Sequence, residues 1–267
     1  MATLVDPAVS SDATQPVDSI RSVDRALRLL RVLEAARRPV RLSDISAATG
    51  IPRATVQRLL AVLERNGFVE RQQGRYEVGV AAVPLSYAFL MGNSLTQAAL
   101  PVLEELAAVT EETATLFVRH GFERVAVQRV EGVNPLRYSM PVVVGQRITL
   151  LVGAAGHVLA AAMPETELTE LLAGVETISL VNGDVLTKPQ LLTMLEQVRR
   201  QGFAITFGER IPGVVSAAAP VVTAERGTIA AVSVAGTSDR ITAEKSERLI
   251  VEVRVAAQAI AERYSHI

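Results

Sequence analysis

The chain has 267 residues, 49% of them hydrophobic and 21% charged, which is enough for two ordinary globular domains. It contains no cysteine, and this excludes disulfides, thiolate metal sites and cysteine nucleophiles. Its net charge of −1 argues against a uniformly basic or acidic protein, although the charges are unevenly distributed along the chain.

The N-terminal segment has no export signal. Residues 1–18 hold three aspartates and two prolines but no lysine or arginine, whereas a signal peptide needs a basic start and an apolar centre. We predict a disordered tail here. The uncharged run at residues 148–164 is shorter than the ~20 residues of a membrane span. These features predict a cytoplasmic protein that does not cross a membrane.

The segment that follows the tail is basic. Residues 17–80 hold twelve arginines, no lysine and seven acids, a net charge of +5. The remainder holds 15 basic and 21 acidic residues, a net charge of −6. This asymmetry indicates that only the N-terminal part contacts an anionic polymer, although most charged surfaces simply face solvent.

Two helices are predicted at the start of the basic segment. The first is expected to be capped by Ser22 and to end at Arg37-Arg38-Pro39. The second is expected to begin after Leu42, with Ser43 as its cap and with Ile45 and Ala48 facing inward.

A third helix is predicted after the turn Gly50-Ile51-Pro52, from Arg53 to Asn66, with Gly67 closing it. Its apolar stripe consists of Val56, Leu59, Leu60 and Leu63. Its opposite face carries Arg53, Thr55, Gln57 and Arg58. These side chains can donate hydrogen bonds to phosphates and base edges, so this face is the candidate DNA-reading surface.

A basic hairpin is predicted next, with strands at 68–71 and 75–78 around the turn Gln72-Gln73-Gly74. Arg71 and Arg75 lie near its tip. Three helices followed by such a hairpin are typical of a winged helix-turn-helix, here residues 19–80, that binds double-stranded DNA. The alternative is an all-helical protein in which the same short helix, glycine turn and longer helix occur without any contact to DNA.

The rest of the chain has an α/β pattern. The segment from Val80 to Ala108 is helical with a break around Gly92-Asn93-Ser94, which predicts a linker helix at 81–95. Further strands are expected at 114–119, 125–130, 136–140, 203–207, 214–222 and 228–235, and further helices at 154–163, 165–172, 189–201 and 242–264. Together they predict a sheet whose faces are covered by helices.

The sequence resembles the IclR family of bacterial regulators over nearly its whole length after Val17. The N-terminal part of the resemblance lies in residues 22–27, the turn 49–55, Arg58-Leu59-Leu60 and Leu63. The later part lies in residues 103–107, 145–148, Ala155-Gly156, Leu159-Ala160, 202–204, Glu209, Gly213 and 218–220.

The resemblance implies an α+β two-domain protein with an N-terminal winged helix-turn-helix and, at 96–267, a GAF-like α/β domain that binds an effector and oligomerises. Members of the family are dimers or tetramers on palindromic operators. The family's DNA-reading positions correspond to Thr55 and Arg58, with Arg53 and Gln57 beside them.

The family's effector-facing positions correspond here to Leu150, Ala154, Ala155, Thr206, Ser216, Ser233 and Ala235. Small residues at a helix start let free backbone N–H groups approach a carboxylate, although tight packing alone also explains them. Thr206, Leu151 and Ala235 stand where the family often has an acid, a histidine and a serine. A less polar cavity suits an aromatic or larger organic acid.

Catalytic and metal-binding motifs find little support. No nucleophile elbow, P-loop or dinucleotide fingerprint is present, and the three histidines are far apart in sequence. His157 is expected on a helix surface, and Glu209 is expected to be a structural or ligand-orienting acceptor. The sequence thus predicts a transcription regulator without cofactor, whose operator affinity responds to a small organic acid or aromatic metabolite. The alternatives are a regulator whose second domain only oligomerises, and an enzyme with an appended winged domain.

Overall fold

The computed structural model of the chain describes residues 20–134 and 142–266. The chain divides into two compact units, Met1–Phe89 and Leu90–Ile267. The boundary at Phe89–Leu90 falls within the segment 81–95 that the sequence assigns to a linker helix. The tail at 1–18 and the strand expected at 136–140 lie outside the described residues. In the described part of the chain, no helix has the length and apolar character needed to span a bilayer.

Between residues 20 and 78, the N-terminal unit forms three helices and a small antiparallel sheet with the strand order β1-β3-β2. The helices are α1 (Arg21–Ala36), α2 (Leu42–Thr49) and α3 (Arg53–Arg65), and the strands are β1 (Val40–Arg41), β2 (Val69–Gln72) and β3 (Arg75–Val78). Eight residues spaced along these elements form its core: Leu29, Leu33, Ile45, Ile51, Val56, Leu60, Val69 and Tyr76. Each large apolar side chain buried there stabilises the unit by about 1.5–3 kcal/mol.

The wing is a tight hairpin between β2 and β3. Gln72 pairs with Arg75, so the connection is two residues long rather than the three predicted. Gln73 and Gly74 have φ of +49° and +75°, and two successive positive φ values are the mark of a type I′ turn, whose twist matches that of the strands.

Some local predictions in this unit are wrong. Ile20, not Ser22, occupies the N-cap of α1, and Arg41, not Ser43, occupies that of α2. Ala48 is exposed, whereas Thr49 is buried. Thr49 tolerates burial because its hydroxyl donates to the carbonyl oxygen of Ile45 at 2.7 Å. Strand β1, only two residues long, was not predicted because so short a segment shows no periodicity.

The C-terminal unit contains a six-stranded antiparallel sheet in the order β6-β5-β4-β11-β10-β9. Its helices, with α4 crossing the boundary between the units, are α4 (Ala82–Gly92), α5 (Ser94–Thr110), α6 (Ala154–Ala161), α7 (Glu165–Leu171), α8 (Lys188–Gln201) and α9 (Ala243–Ser265). Its strands are β4 (Thr113–His120), β5 (Glu123–Val130), β6 (Arg147–Thr149), β7 (Thr177–Ser179), β8 (Val185–Thr187), β9 (Ala204–Phe207), β10 (Val214–Thr223) and β11 (Gly227–Thr237).

The break between α4 and α5 follows from Asn93. Its side chain accepts a hydrogen bond from the Thr96 backbone N–H at 3.1 Å and so caps α5. Pro101 lies inside α5, at a position where proline usually kinks or breaks a helix. The helix forms around it because its neighbours, among them Ala99 and Leu103, are buried.

Helices cover both faces of the sheet, as predicted. One core cluster joins α5 and α9 to one face, and a second joins α6, α7 and α8 to the other. Strands alternate between the two: on β10, Val215, Ala217 and Ala219 belong to the first cluster and Ala218 to the second. The α+β two-domain architecture predicted from the sequence is confirmed. The short β6 and the β7–β8 hairpin were not predicted.

Candidate functional site

The outer face of α3 presents the residues predicted to read DNA. Arg53, Gln57 and Arg58 are exposed and Thr55 is half-buried. Val56 lies on the opposite side and is fully buried, so packing of the helix into the core fixes which side chains face outward.

Three hydrogen bonds hold the turn before α3 in place. The Arg28 guanidinium donates to the carbonyl oxygen of Thr49 at 2.6 Å, and the Ser46 hydroxyl donates to that of Ile51 at 2.7 Å. The Ile51 N–H donates to the Thr49 hydroxyl at 3.4 Å. Gly50 adopts φ of +66°, a conformation that is unfavourable for residues with a Cβ atom. Arg28 is a positioning residue that sequence reasoning counted only as part of the arginine excess.

The two arginines of the wing flank its tip and are exposed. The Arg71 guanidinium lies 5.6 Å from the centroid of the Tyr76 ring, and Arg75 donates to the carbonyl oxygen of Pro39 at 3.4 Å. Both charges therefore stay at the surface while their side chains are held against the unit.

Six of the seven predicted effector positions line one cavity of about 70 Å³ in the C-terminal unit, which is room for several water molecules. They are Ala154, Ala155, Thr206, Ser216, Ser233 and Ala235. Leu150 is not among the lining residues, because its side chain is fully buried in the core beneath α6.

Strand register explains how residues distant in sequence meet on the cavity floor. Thr206 pairs with Ser216, Ser216 with Ala235, and Ala235 with Thr113, so these four form a row across β9, β10, β11 and β4. Ser233 and Thr115 pair in the next row, two residues along each strand and therefore on the same face.

Several lining residues were missed by sequence reasoning, and they make the cavity more polar than expected. They include Thr113, Thr115, Phe117, Arg124, Arg129 and Arg210. A single arginine in a strand gives no sign of pointing inward. The alternation on β4, in which Thr113, Thr115 and Phe117 occupy every second position, could have indicated one shared face.

The N-terminus of α6 forms one wall of the cavity, but two of its backbone donors are already used. The Gly153 N–H donates to Glu209 Oε2 at 2.7 Å, and the Ala154 N–H donates to the Thr206 hydroxyl at 3.3 Å. The expectation that these amides are free for a ligand carboxylate is therefore wrong for Gly153 and Ala154. Glu209 acts as a hydrogen-bond acceptor, one of the roles expected of it.

Arg124 is buried beneath α6 with only 3% of its surface exposed. Its Nη1 donates to the carbonyl oxygens of Thr149 and Val152, at 2.6 and 2.8 Å. Burial, together with repulsion from Arg210, lowers its pKa to about 9. A Cβ on Gly156 would lie 2.3 Å from Nη1, so a glycine is required where the helix crosses this guanidinium.

The sequence predicted His157 on a helix surface, and this prediction is wrong. The side chain is buried, and only 1% of the residue is exposed. Its Nε2 lies 3.4 Å from both the Leu151 carbonyl oxygen and Glu209 Oε2. Burial lowers the pKa of His157 to about 4, so the imidazole is neutral near pH 7. Burial also raises the pKa of Glu209, although the hydrogen bond from Gly153 and the positive charge of Arg124 each act to lower it.

Charge and unpaired donors both suit the cavity to an anion. Among the described residues that line it, Glu209 is the only acid, against Arg124, Arg129 and Arg210. Three buried donor atoms of lining residues, Thr113 Oγ1, Arg124 Nε and Arg129 Nε, have no hydrogen-bond partner among the described residues. Buried donors without acceptors are costly, and a bound anion would pair with them.

A second concavity, an open groove of about 690 Å³ between α9 and the end of β10, contains none of the predicted site residues and no unpaired buried donor among the described ones. The smaller cavity is therefore the candidate ligand site. Within residues 20–134 and 142–266, no three histidine or acidic side chains group as a metal site would require.

A winged helix-turn-helix followed by an α/β domain with an internal cavity defines a ligand-responsive transcription regulator. The family model "IclR helix-turn-helix domain" matches residues 22–73, and "Bacterial transcriptional regulator IclR C-terminal" matches residues 88–262. The chain belongs to the IclR family, whose members are transcriptional regulators and not enzymes. The resemblance seen in the sequence is confirmed.

Three known proteins illustrate the similarity. The HTH-type transcriptional regulator XynR of Escherichia coli is 30% identical over 225 residues, which cover 83% of this chain and 88% of XynR. An IclR transcriptional regulator from Alicyclobacillus acidocaldarius has 25% identity and a TM-score of 0.77, covering 92% of this chain and 99% of its own. An IclR homologue from Microbacterium hydrocarbonoxydans, solved with 4-hydroxybenzoate, has 22% identity and a TM-score of 0.73, covering 92% and 100%.

Proposed function

We propose that this regulator binds a specific operator through α3 and the wing, and that a small organic acid or aromatic metabolite in the C-terminal cavity changes its operator affinity. Residues 19–80 are the DNA-binding domain, 81–95 the linker helix and 96–267 the effector-binding and oligomerisation domain. Such a regulator works in the cytoplasm and needs no cofactor.

The DNA contact is assigned to a basic surface in two parts. Arg53, Thr55, Gln57 and Arg58 would enter the major groove, since guanidinium and amide groups there can form bidentate bonds with base edges. Arg71 and Arg75 would approach the backbone, which supplies affinity without sequence information.

The effector is assigned by the unpaired donors of the cavity, which is the observation that carries the proposal. Thr113 Oγ1, Arg124 Nε and Arg129 Nε offer hydrogen bonds to an anionic group and have no partner among the described residues. The relative solved with 4-hydroxybenzoate supports an aromatic carboxylate as the first ligand to test. The remaining effector-facing positions, among them Ser216 and Ser233, would complete the contact surface.

Self-association is assigned to α4. This helix carries no charged residue and buries none of its side chains, and it exposes Val83, Leu85, Tyr87, Phe89 and Met91. A contiguous apolar surface of this kind in water marks an interaction site. A second copy of the chain covers it, giving a homodimer or a homotetramer built from dimers, as a palindromic operator requires.

Replacing both Leu85 and Phe89 with glutamate is expected to weaken self-association by about tenfold or more, because two neighbouring apolar side chains become charges that the interface must desolvate. Sedimentation velocity over a concentration series measures the change. Val251→Glu, an exposed apolar position on α9, is the control and should leave the association unchanged. A wild-type chain that sediments as a monomer would refute the assignment.

One experiment tests the function as a whole: DNase footprinting on the DNA upstream of the protein's own gene, with and without 4-hydroxybenzoate and a panel of other carboxylates. We expect a protected palindromic site whose affinity falls steeply with salt and changes when an effector binds. Failure to protect any fragment at low salt would refute DNA binding. Protection that no acid alters, with no acid raising the melting temperature, would leave a regulator whose second domain only oligomerises.

A further inference from the structure

The wall of the cavity presents two kinds of polar group. The unpaired donors of Thr113, Arg124 and Arg129 suit the anionic part of a ligand. Glu209, the only acid among the described lining residues, presents an acceptor instead and repels a second anion. A ligand that satisfies both parts of the wall carries an anionic group and, elsewhere, a hydrogen-bond donor.

Glu209 is held firmly in its place. Its Oε2 accepts from the Gly153 N–H at 2.7 Å, and its main-chain oxygen accepts from the Val181 N–H at 3.0 Å. The side chain is 11% exposed, and its contact with His157 also involves Oε2. No hydrogen bond from a described residue reaches Oε1. The carboxylate therefore has one oxygen left for a ligand.

We infer that Glu209 selects effectors carrying a hydroxyl group at a distance from the carboxylate, through a hydrogen bond from that hydroxyl to Glu209 Oε1. The inference rests on the proposed effector cavity and narrows the ligand class from organic acids in general to hydroxy acids. A ligand without the donor would bury this oxygen unpaired, and sites built for a hydroxyl reject analogues that lack it.

Three probes that differ at one position test the wild-type protein: 4-hydroxybenzoate, benzoate and 4-methoxybenzoate, each measured by isothermal titration calorimetry. Benzoate lacks the oxygen, and the methoxy compound keeps the oxygen but cannot donate. We expect the affinity for 4-hydroxybenzoate to exceed the affinity for either analogue by about tenfold or more. The pair 3-hydroxybutyrate and butyrate makes the same comparison for smaller ligands.

Glu209→Gln assigns the preference to this residue. Its amide oxygen can still accept from Gly153, which then directs the amide NH2 donor towards the ligand. An NH2 group pairs with a hydroxyl or a methoxy oxygen alike, so the preference for hydroxy over methoxy should fall to about threefold or less. Glu225→Gln is the matched control: it makes the same substitution at an exposed position outside the cavity lining and should keep the preference.

The outcomes separate this inference from the function on which it rests. Equal binding of hydroxy acids and their analogues by the wild type, or an unchanged preference in Glu209→Gln, would refute donor selection by Glu209 and leave the acid effector standing. Binding of no acid by any of the three proteins would overturn the acid effector itself, and donor selection with it.

Discussion

Replacing Arg58 with alanine is expected to weaken specific operator binding by about 1–3 kcal/mol, the value of one bidentate contact between a guanidinium and a base pair. Arg58 is exposed, while the core of its unit is built from other residues of α3, such as Val56 and Leu60. Truncation should therefore remove the contact and preserve the fold. Fluorescence anisotropy with the footprinted operator measures the affinity of specific binding, and the same measurement with a scrambled fragment gives the affinity of non-specific binding.

The control for Arg58 is Arg254→Ala, which removes the same charge from an exposed position on α9. It should leave both affinities nearly unchanged. Loss of binding to operator and scrambled DNA in equal measure would instead place Arg58 on a phosphate, because phosphate contacts carry no sequence information. Unchanged operator affinity in Arg58→Ala would remove this residue from the interface.

The N-terminal unit could be predicted from sequence because its signals are local. Helical spacing of apolar residues placed α1 and α3, and Gly50 and Pro52 marked the turn between α2 and α3. The helix caps were predicted less well, since Ser22 and Ser43 are good capping residues that here lie inside their helices. The preference of serine for the N-cap position is worth about 1 kcal/mol, and packing of the whole helix outweighs it.

The cavity could be predicted only in part because its residues meet through strand register. The family resemblance supplied small residues such as Ser216 and Ser233, which do line it. Arg124 was not predicted to line the cavity because a charged residue in a strand is usually exposed. Its burial depends on carbonyl acceptors at the end of β6 and in the loop before α6, and on the absence of a side chain at Gly156. None of these can be read from the residues around Arg124.

His157 shows how tertiary packing overrides a local pattern. All eight residues of α6 are buried, so the helix has no solvent face on which a polar residue could lie. The imidazole stays neutral in this setting, and its folded pKa of about 4 lies below the ordinary value of 6.5. Between these two values the unfolded chain binds a proton that the folded chain does not, so acid favours unfolding.

Lowering the pH from about 7 to about 5 is expected to cost the wild type about 2 kcal/mol through His157 alone. Glu209 acts in the opposite direction, since its raised pKa lets the folded chain take up a proton first. His157→Gln isolates the imidazole: the variant loses packing at neutral pH, but its free energy of unfolding should depend less on pH by that same amount. Urea denaturation at both pH values measures the difference, and Val158→Ala, which also removes packing from α6 but keeps the imidazole, should retain the wild-type dependence. Parallel curves for the wild type and His157→Gln would mean that the buried imidazole takes up its proton in the folded protein as readily as in the unfolded chain.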